Sequence, residues 1–302
     1  MKRIALLLLI GGIAASLFLV VVAVLSFLFL PYLQDWLSPT PQGVVLVYEV
    51  DPDCLVPGEN VNMANLVKAI RRRLGYGSST LARVRSIDDE RIEVAVVGKS
   101  ESDAQRIQRL LTCTGILEFR ILANKRDNKD MIEQALVNPS KTRLHDSDGN
   151  LVAWWVPVRD VEASGIARYP DIAVRAAQNN GHEITEVLVL NDDYNVTGAY
   201  LARADVGIDH KGKPCVEFVF NNAGGQLFGE LTGSHLPDPV HANMRYRLGI
   251  VLDGVLYSAP SINATVFDQV QISGSFTKKE VDDLARVLNS GSLPAKIRPV
   301  KK

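Results

Sequence analysis

The segment "FTKKEVDDLARVLNSGSLPAKIRPV", residues 276–300, joins the pattern of a capped helix directly to the pattern of a strand. Thr277 followed by Glu280 forms a capping box, and Gly291 is the usual kind of residue at a helix end. The residues between them that recur at helical spacing predict one buried face: Val281, Leu284, Ala285 and Leu288. The run "LPAKIRPV" that follows is typical of a strand. A helix and a strand in immediate succession predict an α+β layer.

The first half of the chain contains the same kinds of element in a regular order. Residues 44–50, "VVLVYEV", predict a strand, and two alternating runs that meet at Asp88 predict a hairpin. A helix follows the first strand, with an apolar stripe formed by Met63, Leu66, Val67, Ile70 and Leu74. A second helix begins after Ser100, and residues 116–122, "ILEFRIL", predict a fourth strand. The order β-α-β-β-α-β is that of a ferredoxin-like unit.

Three consecutive arginines, Arg71, Arg72 and Arg73, fall in the last turn of the first of these helices. Cations there are favoured by the helix dipole, and Gly75 follows as a stop signal. A solvated helix end is the favoured interpretation of the three arginines, and a phosphate-binding site is the alternative.

Residues 123–196 depart from this regular pattern and predict a small inserted subdomain. The segment is polar at first, has a turn signal at Asp148, and then reads "LVAWWVPV". Trp154 and Trp155 are adjacent, so in a strand they point to opposite faces, and core packing is favoured over a ligand cage. Residues 185–190 predict one more strand. Residues 197–302 then form a second α+β region, with hairpin turns at Lys211 and Asp253.

The N-terminus predicts a membrane anchor at residues 1–33. Residues 4–30 are apolar or small and would extend about 40 Å as a helix, against about 30 Å of bilayer hydrocarbon. An uncleaved anchor is favoured over a signal peptide, whose apolar core is only about 7–15 residues long. Lys2 and Arg3 predict a cytoplasmic N-terminus. Residues 34–43 contain Pro39 and Pro41 and predict a linker, after which the bulk of the chain lies outside the membrane.

Composition and motifs argue against several classes of function. The chain has 33 basic and 34 acidic residues, and this balance argues against nucleic-acid binding. Its three cysteines, Cys54, Cys113 and Cys215, and its five histidines lack the spacing of a metal site, so we expect no metal or other cofactor. No nucleophile motif, phosphate loop or zinc-hydrolase motif occurs. The sequence therefore predicts a protein that is not an enzyme.

The C-terminal region contains the stretch "VLDGVLYSAPSINATVFDQVQISGSFTKKEVDDLARVLNSGSLPAKI". It holds a V-L-D-G hairpin, S-A-P-x-I-N, Q-I-S/T-G-x-F-T, D-L-A and G-x-L-P-A in that order. In this pattern the region closely resembles SecD, the protein-export membrane subunit. "TGILEFRIL" and the V-T-G segment also resemble the family. The residues that carry the resemblance are Thr114, Gly115, Glu118, Phe119, Arg120, Thr197, Gly198, Asp253, Gly254, Ser258, Ala259, Pro260, Gly274, Phe276, Thr277, Leu284, Gly291, Leu293 and Pro294.

The resemblance implies a base domain in two halves, residues 44–122 and 197–302, and an inserted head subdomain, residues 123–196. It implies a single-pass protein of the bacterial inner (cytoplasmic) membrane, with its bulk in the periplasm. Its implied partners are Sec translocase subunits or a SecF-like protein, and unfolded exported polypeptides.

Two departures from the family pattern bear on these expectations. The family's early G-L-D-L-x-G-G motif is replaced by "GVVLVYEVDPD", and the family continues past G-x-L-P-A into five further helices that carry the acidic residue for proton transfer. The sequence ends at Lys302 and is expected to lack those helices. We therefore expect a SecD-like component or accessory of Sec-dependent export that binds polypeptide or translocase partners. The alternative is a membrane-anchored structural or interaction protein that kept the fold without a direct export role.

Overall fold

A computed structural model describes residues 43–52, 61–75, 82–97, 101–179, 181–237 and 244–300. The predicted anchor, residues 1–33, and the predicted linker up to residue 42 lie outside these ranges. No helix within them is both long and apolar enough to cross a bilayer.

The described chain is a mixture of helices and mostly antiparallel strands, which confirms the α+β class. In chain order the elements are β1 (Gly43–Val50), α1 (Met63–Gly75), β2 (Ala82–Ser86), β3 (Arg91–Val97), α2 (Glu101–Thr112), β4 (Leu117–Ile121), α3 (Lys129–Val137), β5 (Arg143–His145), β6 (Leu151–Pro157), α4 (Val161–Ser164), β7 (Val174–Asn179), β8 (His182–Leu190), β9 (Leu201–Ile208), β10 (Pro214–Phe220), α5 (Asn222–Gly233), β11 (Leu248–Leu252), β12 (Val255–Ser258), β13 (Gln269–Ile272), α6 (Lys278–Ser290) and β14 (Ile297–Pro299).

The first sheet corrects the predicted ferredoxin-like unit. Its strand order is β14-β1-β3-β2, so the C-terminal strand β14 lies beside β1, with Ile297 opposite Val50. The fourth strand of the predicted unit, β4, instead pairs with β11 in another sheet, with Phe119 opposite Ile250. β4 is buried along most of its length and so requires a core on both faces. β14 buries only Ile297 and therefore suits a sheet edge.

Two three-stranded sheets, β13-β10-β9 and β12-β11-β4, form the second α+β region. Their shared core contains four phenylalanines whose rings meet at centroid distances of 4.8–5.7 Å: Phe119, Phe218, Phe220 and Phe228. Helix α6 packs its predicted face, Val281, Leu284, Ala285 and Leu288, into this core. Its capping box at Thr277 and Glu280 is present, which confirms that prediction.

The segment between β4 and β9 forms its own sheet, in the order β5-β6-β8-β7. Helix α3 and strand β7 were not predicted, because their sequences are polar and lack a clear apolar period. Trp155 is buried and Trp154 is half-buried, as adjacent residues of one strand require. The sheet joins the rest of the protein through short bridges from Val158 to Leu256 and from Leu122 to Val189.

The position of β14 makes a testable prediction. Ile297 is 1% exposed and belongs to the same core as Ile70 and Ile92. We expect Ile297→Ala to lower the free energy of unfolding by about 2–4 kcal/mol, because it leaves a cavity between β14 and the helices. Arg298→Ala, one residue away on the exposed face, should cost less than about 1 kcal/mol. Denaturant unfolding of the full chain in detergent measures both, and equal effects would contradict this sheet order.

Candidate functional site

Several of the predicted motif residues converge on the loop that leads from α2 into β4, residues 113–116. Arg73 reaches this loop from the last turn of α1 and is fully buried. Its guanidinium donates to the carbonyl oxygens of Cys113 and of Thr114, the latter at 2.9 Å. It also donates to the Gly291 carbonyl at 2.7 Å and to the Ser290 hydroxyl at 3.0 Å. One side chain thus joins the ends of α1, α2 and α6.

Arg73 corrects the interpretation of the three arginines as a solvated helix end. Burial lowers the pKa of Arg73 to about 10, so the guanidinium is still charged at neutral pH. Arg71 donates both Nε and Nη2 to the Val84 carbonyl, at 3.2 and 2.8 Å. Only Arg72 of the three has a guanidinium with no hydrogen bond or ion pair to the residues that the structure describes.

Asp253 fixes the loop from its other side. It begins the turn between β11 and β12 with φ of 50°, and Gly254 follows with φ of 74°. Its carboxylate accepts hydrogen bonds from the Thr114 hydroxyl and from the Ile116 amide, the latter at 2.8 Å. The Asp253 amide donates in turn to the Ile116 carbonyl at 2.8 Å. The hairpin turn predicted at Asp253 therefore also holds the motif loop in place.

Gly115 and Gly291 are favoured by the backbone conformation at this loop, and Gly115 also by close packing. Both have positive φ, 81° and 76°. A Cβ added to Gly115 would lie 2.8 Å from Val287 Cγ1 and 2.9 Å from Arg73 Nη2. Leu293 completes the loop, since its amide donates to the Thr114 carbonyl at 2.8 Å. Pro294 is exposed and makes no such contact.

A second group of motif residues surrounds β4. Arg120 is 4% exposed, and its Nη2 donates to Glu118 Oε1 and Asn195 Oδ1, both at 2.8 Å. Its guanidinium also lies over the Trp154 ring, 5.2 Å from the centroid. Thr197 forms a bridge with Glu118. This group ties the inserted segment to β4.

The remaining motif residues near β12 serve packing. Ala259 is buried and Pro260 accepts a backbone hydrogen bond from Leu248 at 3.0 Å. The Ser258 hydroxyl is buried without a hydrogen-bond partner among the described residues, so no base activates it as a nucleophile. Gly198 is close to β4, where an added Cβ would lie 3.1 Å from Leu117 Cβ.

An opening that we call the aromatic pocket lies between α2, β12 and α6. It has a volume of about 120 Å³, and its lining is largely apolar: Leu110, Leu252, Tyr257, Phe276, Leu284 and Val287, with Cys113 and the charged residues Arg109, Arg159, Glu280 and Asp283. The Tyr257 and Phe276 rings are stacked, with centroids 5.9 Å apart. Gly274 allows this placement, because an added Cβ would lie 3.0 Å from the Phe276 ring.

Arg159 covers one side of the aromatic pocket. Its guanidinium lies 4.9 Å from the Tyr257 centroid and 4.8 Å from the Phe276 centroid. It also forms an ion pair with Glu280 at 2.7 Å. Hydrogen bonds from Thr277 lower the pKa of Glu280, which keeps the carboxylate charged at neutral pH. The pocket can therefore take an apolar or aromatic side chain at a charged rim.

A second opening, which we call the Arg72 groove, lies on the other side of the motif loop. It has a volume of about 370 Å³ and is lined by Arg72, Gly115, Ile116, Leu117, Thr197, Gly198, Ala199, Leu288, Gly291 and Ser292. Ile116 is 47% exposed in spite of its size. The two openings together leave the loop accessible from both sides.

Cys113 gives a chemical test of the pocket. Burial raises the pKa of the Cys113 thiol to about 12, so little thiolate is present at pH 8. We expect its alkylation by iodoacetamide at pH 8 to be about 10²–10³-fold slower in the folded chain than in urea, and to accelerate as the pH rises toward 12. Peptide mass spectrometry resolves Cys113 from Cys54 and Cys215. Equal rates in folded and unfolded protein would contradict this burial.

The described site offers two surface openings, one of them with a charged rim. Within the described ranges, no group of three His, Cys, Asp or Glu side chains could hold a metal ion. The titratable groups in contact with the openings are mostly paired in ion pairs, such as Arg159 with Glu280 and Arg109 with Asp283. The arrangement suits contact with another polypeptide.

Sequence patterns did not identify three residues that matter here: Arg73, Arg159 and Tyr257. A signal for Arg73 was present, because it lies three residues after Ile70 and seven after Leu66 on the buried stripe of α1. Arg159 and Tyr257 come together only through the bridge between Val158 and Leu256, which no local pattern encodes.

Comparisons with known proteins support the resemblance. Residues 173–295 match the family model described as "SecDF, P1 head subdomain". This range begins inside the predicted head, residues 123–196, and covers most of the predicted second half of the base. The division of the chain into base and head thus stays a prediction.

Curated relatives are similar over most of this chain. The protein translocase subunit SecD of Elusimicrobium minutum is 30% identical over 86% of this chain and 50% of its own length. SecD of Calditerrivibrio nitroreducens is 27% identical over 84% of this chain and 43% of its own length. The chain therefore spans about half the length of these relatives. They are named as translocase subunits and not as enzymes, in agreement with the sequence-based expectation.

Solved structures share the fold. SecDF in its super-membrane-facing form matches 95% of this chain and 34% of that chain, with a TM-score of 0.55 at 24% identity. A structure titled as a membrane component SecDF that enhances protein export matches 86% of this chain and 99% of that one, with a TM-score of 0.54 at 23% identity. The described chain thus shares the fold of these SecDF structures, and together with the SecD relatives this confirms the expected resemblance to SecD.

Proposed function

We propose that this chain is a SecD-like component of Sec-dependent protein translocation and binds exported polypeptide on the outer side of the membrane. The similarity to SecD over more than four fifths of the chain supports the process. The observation that carries the binding step is the aromatic pocket. Tyr257, Phe276 and Leu284, which line it, lie inside the range that matches the SecDF family model.

A polypeptide in transit is unfolded and presents apolar side chains that a folded protein hides. An apolar pocket with a charged rim fits such a chain, because each contact is weak and independent of exact sequence. The 120 Å³ pocket has room for one side chain at a time. Binding of this kind allows repeated capture and release, which suits a protein that handles many substrates.

The remaining assignments are part of the same proposal. Residues 1–33 anchor the chain in the bacterial inner membrane with the N-terminus inside, and residues 44–122 and 197–302 form the base around the head, residues 123–196. Sec translocase subunits or a SecF-like protein are the partners. The nineteen motif residues support this role by building the loop and its openings or by packing the elements around them, and not through bond chemistry.

Photo-crosslinking to a stalled secretory chain tests the proposal. A photo-reactive phenylalanine analogue is placed at Arg109, which is half exposed at the pocket rim, or at Asp89, in the exposed turn between β2 and β3. We expect crosslinks to the stalled chain from position 109 and few from position 89. A crosslink-free result at position 109, with normal export after deletion of the gene, would instead favour the structural or interaction protein without an export role.

A further inference from the structure

We propose that the Arg72 groove is a second contact for the same polypeptide and that it selects extended segments with an acidic residue. The inference rests on the proposed function and adds a preference that the aromatic pocket alone cannot supply. It uses the one arginine of the α1 triplet that the fold leaves without a partner among the described residues.

The charge of the groove is the first argument. Its lining includes Arg72 and no carboxylate. The Nη2 atom of Arg72 lies at the groove wall, 3.4 Å from where a Cβ on Gly291 would be. A guanidinium with five donors and no acceptor among the described residues is a ready partner for a carboxylate.

The second argument is that the carbonyl oxygens beside Arg72 already accept hydrogen bonds from within the protein. The helix end at Gly291 would present carbonyl oxygens that repel an anion. Arg73 neutralises part of this repulsion from inside the protein, because its Nη2 donates hydrogen bonds to the carbonyl oxygens of both Thr114 and Gly291. These two oxygens are therefore compensated, and the positive charge of Arg72 acts on the groove without them.

The shape of the groove is the third argument. Gly115, Gly198 and Gly291 line it without side chains, and its volume of about 370 Å³ has room for on the order of ten water molecules. Exposed Ile116 adds an apolar contact, and the hydroxyl-bearing residues Thr197 and Ser292 add polar ones. A short extended stretch with one Asp or Glu beside small or apolar residues matches this combination.

Fluorescence anisotropy with the full chain in neutral detergent tests the inference. The probes are two twelve-residue peptides with capped termini and an uncharged dye, identical except for a central Glu or Gln among Ala, Leu and Ser residues. We expect the Glu peptide to bind about three- to fivefold more tightly, and the preference to fall as salt rises to 0.5 M. Arg72→Met should abolish the preference, so that the Glu and Gln peptides bind with equal affinity. Lys68→Met, which removes an exposed cation of α1 outside the groove, should leave the preference intact.

The outcomes separate the two proposals. If both peptides bind without a Glu preference, or if the preference survives in Arg72→Met, the groove assignment is wrong and the proposed function stands. If neither peptide binds, polypeptide binding itself is contradicted. A Gln peptide with a free C-terminus tests whether the carboxylate of a chain end is recognised instead of an acidic side chain. Tighter binding of that peptide, without tighter binding of the Glu peptide, would overturn recognition of internal acidic residues.

Discussion

Replacement of Arg73 by methionine should lower the free energy of unfolding by about 3–5 kcal/mol. Methionine keeps most of the apolar stem but removes the guanidinium, which holds the carbonyl oxygens of Cys113, Thr114 and Gly291. Removal of a charged donor from buried acceptors costs free energy, and here the acceptors join two distant segments, the loop at residues 113–116 and the end of α6. Guanidinium-induced unfolding of the full chain in detergent, followed by tryptophan fluorescence, measures the effect.

The matched control is Arg72→Met, in the next residue of the same helix. Arg72 is exposed and makes no hydrogen bond to the described part of the protein, so this change should shift the free energy of unfolding by less than about 0.5 kcal/mol. A similar loss for both variants would show that the arginines act through the charge of the helix end. That result would contradict the conclusion that the buried hydrogen bonds of Arg73 hold the site together.

Replacement of Phe119 by alanine should cost about 3–5 kcal/mol. The ring is fully buried and lies 5.3–5.4 Å, between centroids, from each of three other phenylalanine rings: Phe218, Phe220 and Phe228. Its removal leaves a cavity where β4, β10 and α5 meet, and it also removes edge-to-face ring contacts. The same unfolding measurement applies, and Phe119→Leu should cost only about 1–2 kcal/mol because it fills most of the space.

An unfolding free energy that changes by less than 1 kcal/mol in Phe119→Ala would contradict the placement of β4 in the second region. In a four-stranded first sheet that included β4, Phe119 would meet different neighbours. The Phe119 result is therefore also a test of the strand order.

Local elements of this fold could be predicted from the sequence, because short-range rules determine them. The capping box at Thr277, the turn at Asp253 and the apolar stripes of α1 and α6 all depend on residues within a few positions of each other. Strand partners depend on contacts between distant residues. For that reason the sequence did not predict that β14, and not β4, pairs with β1 in the first sheet. The sequences of β4 and β14 are equally typical of strands.

The site was predictable only in part for the same reason. The motif residues were found through family resemblance, and many of them, such as Gly115 and Phe119, are explained by packing. Arg73 was misjudged because arginine at a helix end is normally solvated. Its burial follows from acceptors in α2 and in the loop after α6, up to 218 residues away in the sequence.

The central claim is that an unfolded polypeptide occupies the openings on both sides of the loop at residues 113–116. Hydrogen exchange of the full chain in detergent, with and without a permanently unfolded secretory polypeptide, tests it most directly. The account predicts slower exchange in residues 109–117, 252–257 and 276–292, which carry most of the lining of the two openings, and no change with the same polypeptide in its folded form. Unchanged exchange in these three segments, or protection only elsewhere in the chain, would contradict it.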